Sequence, residues 1–424
     1  MTNHGDPPAR ARRGRCCWPQ EYLAAFAASL SEVTIGFVYG WPSAALPVLE
    51  AEAWPWRITG DESSWIVSLV DIGSMVIAIP AGLAANRLGR RRVLLSSAVF
   101  FLASWAIIIV AQSAEWLYAA RLLAGMGGGT VFTVNTMYWG EIASPGFRGS
   151  ASSLTQAMLF LGVLLADVVG YLYPTEYTTL AYCGLAVTLL FVACFFPMPE
   201  SPHYLLMRAR PDLARRALQR LRGRADVSAE LAPMEEALAG ELGALGGGDL
   251  HCGCAGMVRT SGARRALLIA VVVGALQRLS GFSAVIAYTS TTLPRSLQSL
   301  GPVIIGGVLV VASLAPLVLM DRLGRRPLLI LSSLVVFPAG VKGLAVSGVN
   351  ISLTLFTFFV SKIYNYAGEI VMYFSFAAAG VLTALFTYFV IPETRSKTLE
   401  QVVAELDERT AAHPARRRSA EHLP

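Results

Sequence analysis

Charge is scarce in this sequence: Asp, Glu, Lys and Arg supply 15% of its 424 residues, while 54% are hydrophobic. A mean hydropathy of +0.55 goes far beyond what the core of a soluble domain requires. Histidine and cysteine are also few, five and six in number, and they do not gather into a metal cluster. His251-Cys252-Gly253-Cys254 has the look of half a metal site, but no second pair lies near it in sequence, so it reads as a chance feature of a loop. A nucleophile beside a base, a metal cluster and a phosphate-cradling loop are all missing, which argues against an enzyme and against a cofactor. A cleavable signal peptide is missing too, because the first apolar run is long and has no small-residue cleavage site after a short core.

Apolar runs of roughly 20 residues, matched to a hydrocarbon core of ~30 Å, recur along nearly the whole chain. They imply an all-α polytopic membrane protein, since helices satisfy their backbone hydrogen bonds internally. The net charge of +6 and pI near 9.1 do not indicate nucleic acid, because the basic residues are dispersed rather than gathered in one patch. They fall in alternate connections: Arg10 to Arg15, Arg87 to Arg92, Arg208 to Arg224, Arg322 to Arg326 and Arg416 to Arg418. Those connections and both termini are therefore expected to be cytoplasmic. Cys183 and Cys194 lie in an apolar run and read as small apolar side chains. Cys16-Cys17, just before the first run, leaves palmitoylation open.

One turn occurs twice. Gly82-Leu-Ala-Ala-Asn-Arg87-Leu-Gly89-Arg90-Arg91-Arg92 returns 235 residues later as Asp321-Arg322-Leu-Gly324-Arg325-Arg326-Pro327. In each copy an apolar run ends, a basic hairpin follows and a second run begins, with glycine allowing the tight bend. The arginines stay in water, where they can meet the carbonyl ends of neighbouring helices. The runs place spans at about 21–49, 65–86, 93–111, 115–138, 150–171 and 179–196, with an outer loop from Glu50 to Ser64. Arg121 within the fourth run is expected to face the protein interior, because an arginine facing lipid is costly. The glycines of Arg121-Leu-Leu-Ala-Gly-Met-Gly-Gly-Gly129 allow close helix approach.

The expected organisation is a polar cytoplasmic segment 1–19, a six-helix bundle 20–202, a cytoplasmic helical linker 203–265, a second bundle 266–395 and a tail 396–424. In the linker, Arg215, Arg216, Arg220 and Arg222 are expected to face Glu235, Glu236 and Glu241 as an ordinary solvated charge run. Markers shared by the halves act as a ruler. Gly89 to Gly149 is 60 residues and Gly149 to Pro199 is 50, whereas Gly324 to Gly343 is 19 and Gly343 to Pro392 is 49. The second half is short by 41 residues, close to two crossings at roughly 20 residues each. The second bundle is therefore read as four full spans and a stub, lacking the end of span nine and all of span ten.

Taken together, GLAANRLGRRR, DRLGRRPLL, RLLAGMGGG, YWGEIASPGFRG, PESPHYLL, QRLSGFSAVIAYTS and PETRSKTLEQV resemble the sugar porter family of the major facilitator superfamily, over about residues 20 to 405. ITGDESSW is similar to the insect trehalose-transporter branch. The resemblance implies two helical bundles that rock about a central sugar site. It implies a cytoplasmic gate built from Arg87, Gly89, Arg90, Arg91, Glu141, Arg148, Glu200, Asp321, Arg322, Gly324, Arg325, Arg326 and Glu393, with Arg121 a structural or pathway residue. It implies sugar contacts at Gln156, Gln277 and Asn350.

The departures from the family pattern lie in the second half. Arg278 replaces the second glutamine of the span-seven pair, Ser283 replaces an asparagine, Ile351 replaces a tryptophan, and all eight tryptophans lie at or before Trp139. Two readings of Arg278 stand: a cavity guanidinium needing a partner such as Asp71, Asp167 or Glu32, or a headgroup or structural ion pair. Val38 replaces the acid that proton-coupled members carry in span one, so facilitative transport is expected. The expected function is facilitative movement of a hexose or trehalose across the plasma membrane by alternating access. The alternatives are an inactive or incomplete product and a non-transporting sugar sensor. The bilayer and a sugar are the expected partners, no nucleic acid is expected, and the sequence leaves the oligomeric state open.

Overall fold

The computed structural model describes residues 20–51, 57–144, 148–244 and 299–323, with six isolated positions between 268 and 287. For 148–153, 237, 240–244 and 315–323 the backbone alone is described. Among the described residues every regular element is a helix. These are α1 Gln20–Leu49, α2 Gly60–Leu88, α3 Arg90–Val110, α4 Ala114–Ile142, α5 Arg148–Leu172, α6 Tyr177–Phe195, α7 Pro202–Met207, α8 Pro211–Arg222, α9 Ser228–Ala244 and α10 Gly301–Leu323.

Five stretches among the described residues are long and apolar enough to cross a bilayer: α1, α2, α3, Leu154–Leu172 within α5, and α6. Glycines and Arg121 dilute the apolar character of α4. Its 29 residues nevertheless give about 43 Å of helix at 1.5 Å per residue, and it packs against α1, α2 and α3.

The helix starts follow local chemistry. α2 begins at Gly60, ahead of the expected Ser64, and so corrects the outer-loop boundary. The cause is a capping box: Thr59 N–H donates to Glu62 Oε2 at 2.7 Å, and Glu62 N–H donates to Thr59 Oγ1 at 3.3 Å. α8 ends on Gly223, whose left-handed φ of +64° closes the last turn.

Small residues set the packing of the bundle. α1 pairs with α5 and α6, α2 with α4, and α3 with α4 and α6. A methyl group added to Gly36 would lie 1.9 Å from the Leu159 carbonyl oxygen on α5, and one added to Gly162 would lie 2.1 Å from that of Val33 on α1. The same reciprocity joins Gly73 on α2 to Leu122, and Gly125 on α4 to Val70. Backbone contact of this kind suits an apolar solvent, where the hydrophobic effect does not drive helices together. Buried aromatics fill the wider gaps, as where Phe37 meets Trp105 edge to face at 5.8 Å.

After the bundle, α7 and α8 fold back so that α8 reaches α1 and α7 reaches α4. Later in the chain, α10 packs on α5, where Gly306 meets Leu164. α5 thus lies between α1 and α10.

Candidate functional site

The hairpin between α2 and α3 is a single residue. Gly89 has φ +106° and ψ 154°, a conformation that essentially only glycine adopts, so α3 starts at once with Arg90. The Arg90 side chain is fully buried. Its Nε and Nη2 both donate to Glu141 Oε1, at 3.2 and 3.0 Å, and its Nη1 donates to the Ala85 carbonyl in the last turn of α2 at 3.1 Å. Glu141 Oε2 accepts from the Ser201 hydroxyl. Ser201 also caps α7 by accepting from Tyr204 N–H, with Pro202 in the first turn. One buried cation therefore ties together the ends of α2, α4 and α7.

Glu200 completes this layer. Its Oε1 accepts from the N–H groups of Arg91 and Ser201, both at 3.0 Å. Burial raises the Glu200 carboxyl above the usual carboxylate range. The two backbone donors and Arg90 oppose that rise, and Glu141 adds to it. The Arg87 carbonyl accepts from the Tyr204 hydroxyl at 3.0 Å and from Arg208 Nη2 at 2.6 Å, while the Arg87 side chain is exposed. The Arg91 guanidinium donates to the Phe196 carbonyl and sits 5.5 Å from the centre of that residue's ring. The Tyr138 hydroxyl donates to the Pro199 carbonyl at 2.8 Å.

The linker is held by Arg222, which bonds Glu21 on α1, Glu230 on α9 and the Ile142 carbonyl at the end of α4. These partners correct the expectation that it faces Glu235, Glu236 and Glu241. Glu21, 9% exposed, and the nearby Glu230 take it instead of the exposed acids farther along the linker.

Deeper in the bundle, Arg121 is buried, donating to Val38 on α1 at 2.8 Å and to Ile66 on α2 at 3.1 Å, with the Trp41 ring 5.4 Å from its Cζ. Glu32 is bonded by Asn135 of α4 at 2.9 Å, and Asp167 on α5 is buried near Ser43 of α1.

Of the residues expected from sequence, the structure brings together Arg87, Gly89, Arg90, Arg91, Glu141 and Glu200, and places Arg121 apart from them within the helices. Gln156 is exposed on α5, Arg148 opens α5, and Asp321 and Arg322 lie in the last turn of α10. Gln277, Arg278, Ser283, Gly324, Arg325, Arg326, Asn350 and Glu393 lie outside the described residues, as do Cys16-Cys17, His251 to Cys254 and the short interval up to Gly343. Sequence reasoning gave no role to Ser201, Tyr204 or Asn135. For Ser201 a signal was available, since Ser-Pro before an apolar stretch marks a helix start.

A bundle of close-packed apolar helices, with a buried ion pair at one end and short helices folded back onto it, defines a multi-pass membrane protein of the major facilitator fold. The fold matches the xylose transporter XylE from E. coli in its partially occluded inward-open conformation. The TM-score is 0.71 at 19% identity, covering 89% of this chain and 99% of that one.

Residues 24–341 match the family described as "Sugar (and other) transporter", and the chain belongs to that family. It is 33% identical over 333 residues to facilitated glucose transporter member 8 of solute carrier family 2 from Bos taurus, covering 78% of this chain and 66% of that protein. To the Mus musculus protein of the same name it is 28% identical over 482 positions, covering 95% and 97%. To the facilitated trehalose transporter Tret1 of Culex quinquefasciatus it is 30% identical over 340 residues, covering 77% and 63%. The match thus spans about two thirds of the length of the bovine and mosquito relatives.

Proposed function

We propose that this chain moves a sugar, a hexose or trehalose, down its gradient across the plasma membrane by alternating access, with both termini cytoplasmic. It acts as a transporter and not as an enzyme. The observation that carries this reading is the family match over residues 24–341. The relatives named as facilitated glucose and trehalose transporters support the choice of solute.

The layer around Arg90, Glu141 and Glu200 serves in this reading as half of the cytoplasmic gate. Its partner half is Asp321 to Arg326 with Glu393. Closing the gate forms buried ion pairs and opening it breaks them, so substrate binding must supply the difference between the two states. The sugar site takes Gln156 from α5 with Gln277, Ser283 and Asn350, amides and a hydroxyl suited to sugar hydroxyls, and Arg278 follows Gln277 in sequence. The test is uptake of labelled glucose and of labelled trehalose into proteoliposomes holding the full chain. Saturable entry that Gln277→Ala abolishes supports the reading. Entry retained at unchanged affinity sinks this assignment of the sugar site.

A second reading is an incomplete transporter product, or a sugar-binding protein that moves nothing. It is favoured by the 41-residue shortfall between Gly324 and Gly343. The alignment to the mouse relative, at 482 positions, is also longer than the 424-residue chain itself, so that relative carries segments with no counterpart here. Sequencing the native transcript across Val335 to Val341 separates the cases. Roughly forty to fifty additional codons there, two crossings and a loop, would restore an ordinary twelve-span protein. Their absence would favour a protein that binds without transporting, detected as ligand-dependent stabilisation without uptake.

A further inference from the structure

We propose that Glu32 and Asn135 form a proton-binding site inside the first bundle, with Glu32 held as the neutral acid in this conformation. Glu32 is the thirteenth residue of α1, about 18 Å along the helix from its start. Its side chain is 1% exposed and Asn135 is 0% exposed. Asn135 Nδ2 donates to Glu32 Oε1 at 2.9 Å, while Asn135 Oδ1 is buried with no hydrogen-bond partner.

A carboxylate can only accept, and so it satisfies half of a primary amide. A carboxylic acid satisfies both halves, accepting from the amide N–H at one oxygen and donating its O–H from the other to the amide oxygen. A proton on Glu32 Oε2 therefore supplies the donor that Asn135 Oδ1 lacks. Turning the amide over does not remove the need. Its oxygen would then face the carboxyl oxygen across the 2.9 Å contact, and a proton would have to lie between them.

Among the described residues, the charged groups named below on the elements packed against α1 are engaged elsewhere. On α4, Arg121 bonds the Val38 and Ile66 carbonyls, the Tyr138 hydroxyl bonds Pro199 and Glu141 bonds Arg90. On α5, Asp167 lies near Ser43 of α1, and Arg148 starts the helix about three turns before Leu159. α6 contributes Tyr177, Tyr182, Cys183 and Cys194 and carries no Asp, Glu, Lys, Arg or His. On α8, Arg222 holds Glu21 and Glu230. An anion buried there without a cation is strongly disfavoured, whereas the acid–amide pair is neutral.

Because the two residues sit on different helices, any separation of α1 from α4 strips the acid of its donor and its acceptor together. Proton affinity then differs between conformations, and the conformational equilibrium depends on pH. The site stands whether or not the chain carries a sugar, so it fails independently of the transport reading.

The test is infrared difference spectroscopy on the purified full chain in lipid nanodiscs at about pH 7. The expected result is a neutral-carboxyl C=O band that disappears in Glu32→Gln and moves to higher frequency in Asn135→Ala. Glutamine can accept from and donate to Asn135 as the acid does, so Glu32→Gln retains the fold. Thermal unfolding supplies the second readout: as pH rises from about 5 to about 8 the wild type loses stability relative to Glu32→Gln. A wild-type spectrum without the band, or a band unchanged in Glu32→Gln, overturns the proposal, as does a pH dependence identical in the two proteins.

Discussion

Arg90 and Glu141 stand 3.0 Å apart with their side chains 0% and 5% exposed, although 51 residues separate them in sequence. Removing one member of an enclosed ion pair leaves the other charge buried and unpaired, at a cost of ~3–5 kcal/mol, whereas exchanging both for apolar side chains of similar size is often close to neutral. Arg90→Met and Glu141→Leu are therefore each expected to lower the melting temperature of the purified chain sharply, and the double substitution to lower it less than either. A double substitution that equals the sum of the singles would contradict the pairing.

Gly89 gives a second prediction. At φ +106° an alanine is strained by about 1–3 kcal/mol, and its Cβ would lie 2.3 Å from Glu200 Oε2. Gly89→Ala should thus destabilise the chain and displace Glu200 from the Arg91 N–H. Gly140 is the control, because it lies in α4 with nothing within 4 Å of an added Cβ. Gly140→Ala should gain up to ~1 kcal/mol of helix stability. Equal melting temperatures for the two variants would show that the hairpin tolerates a side chain.

Much of this geometry was legible in the sequence, for identifiable reasons. The Arg-Leu-Gly-Arg-Arg pattern marked the hairpin between α2 and α3, and apolar run length marked α1 to α6 to within a few residues at most ends. The start of α2 was missed although Thr59-Gly-Asp-Glu62 carries the capping-box pattern, because the apolar run that guided the boundary starts later. The partners of Arg222 were not legible at all. Glu21 is 201 residues away and reaches Arg222 only because α8 folds back onto α1. Asn135 likewise gave no local signal, since its importance depends on the register of α4 against α1.

Glu200 predicts a pH effect. Its carboxyl is raised above the ordinary 4.5, chiefly by burial, so the fold favours its protonated form more than the unfolded chain does. The resulting stabilisation is fully present below about 4.5 and is lost as pH rises through the raised value. Glu200→Gln, which keeps an oxygen to accept from Arg91 and Ser201, should remove that loss. Melting temperatures of wild type and Glu200→Gln should therefore diverge in favour of the variant as pH rises from the acid side to neutrality. Parallel curves would mean that the carboxyl titrates alike in the folded and unfolded chain.

Arg121 carries the last prediction, and Pro42 explains why. In a helix the Val38 carbonyl would accept from the N–H four residues on, but that residue is Pro42, which has none. Arg121 Nη1 supplies the missing donor from α4, at 2.8 Å. Arginine inside the bundle is therefore coupled to a proline on a neighbouring helix, and the costs of two otherwise unfavourable residues offset one another. Arg121→Leu should destabilise the chain by leaving a buried carbonyl unpaired, ~1–3 kcal/mol for that group alone, with further loss from the Ile66 contact and the Trp41 face. Pro42→Ala restores the N–H within α1, so the same Arg121→Leu change should cost less in that background. The measurement is a double-mutant cycle on thermal stability, with an expected coupling of about 1–3 kcal/mol. Zero coupling would mean that Arg121 does not act through the Val38 carbonyl, and that its place in the bundle rests on Ile66 and Trp41 alone.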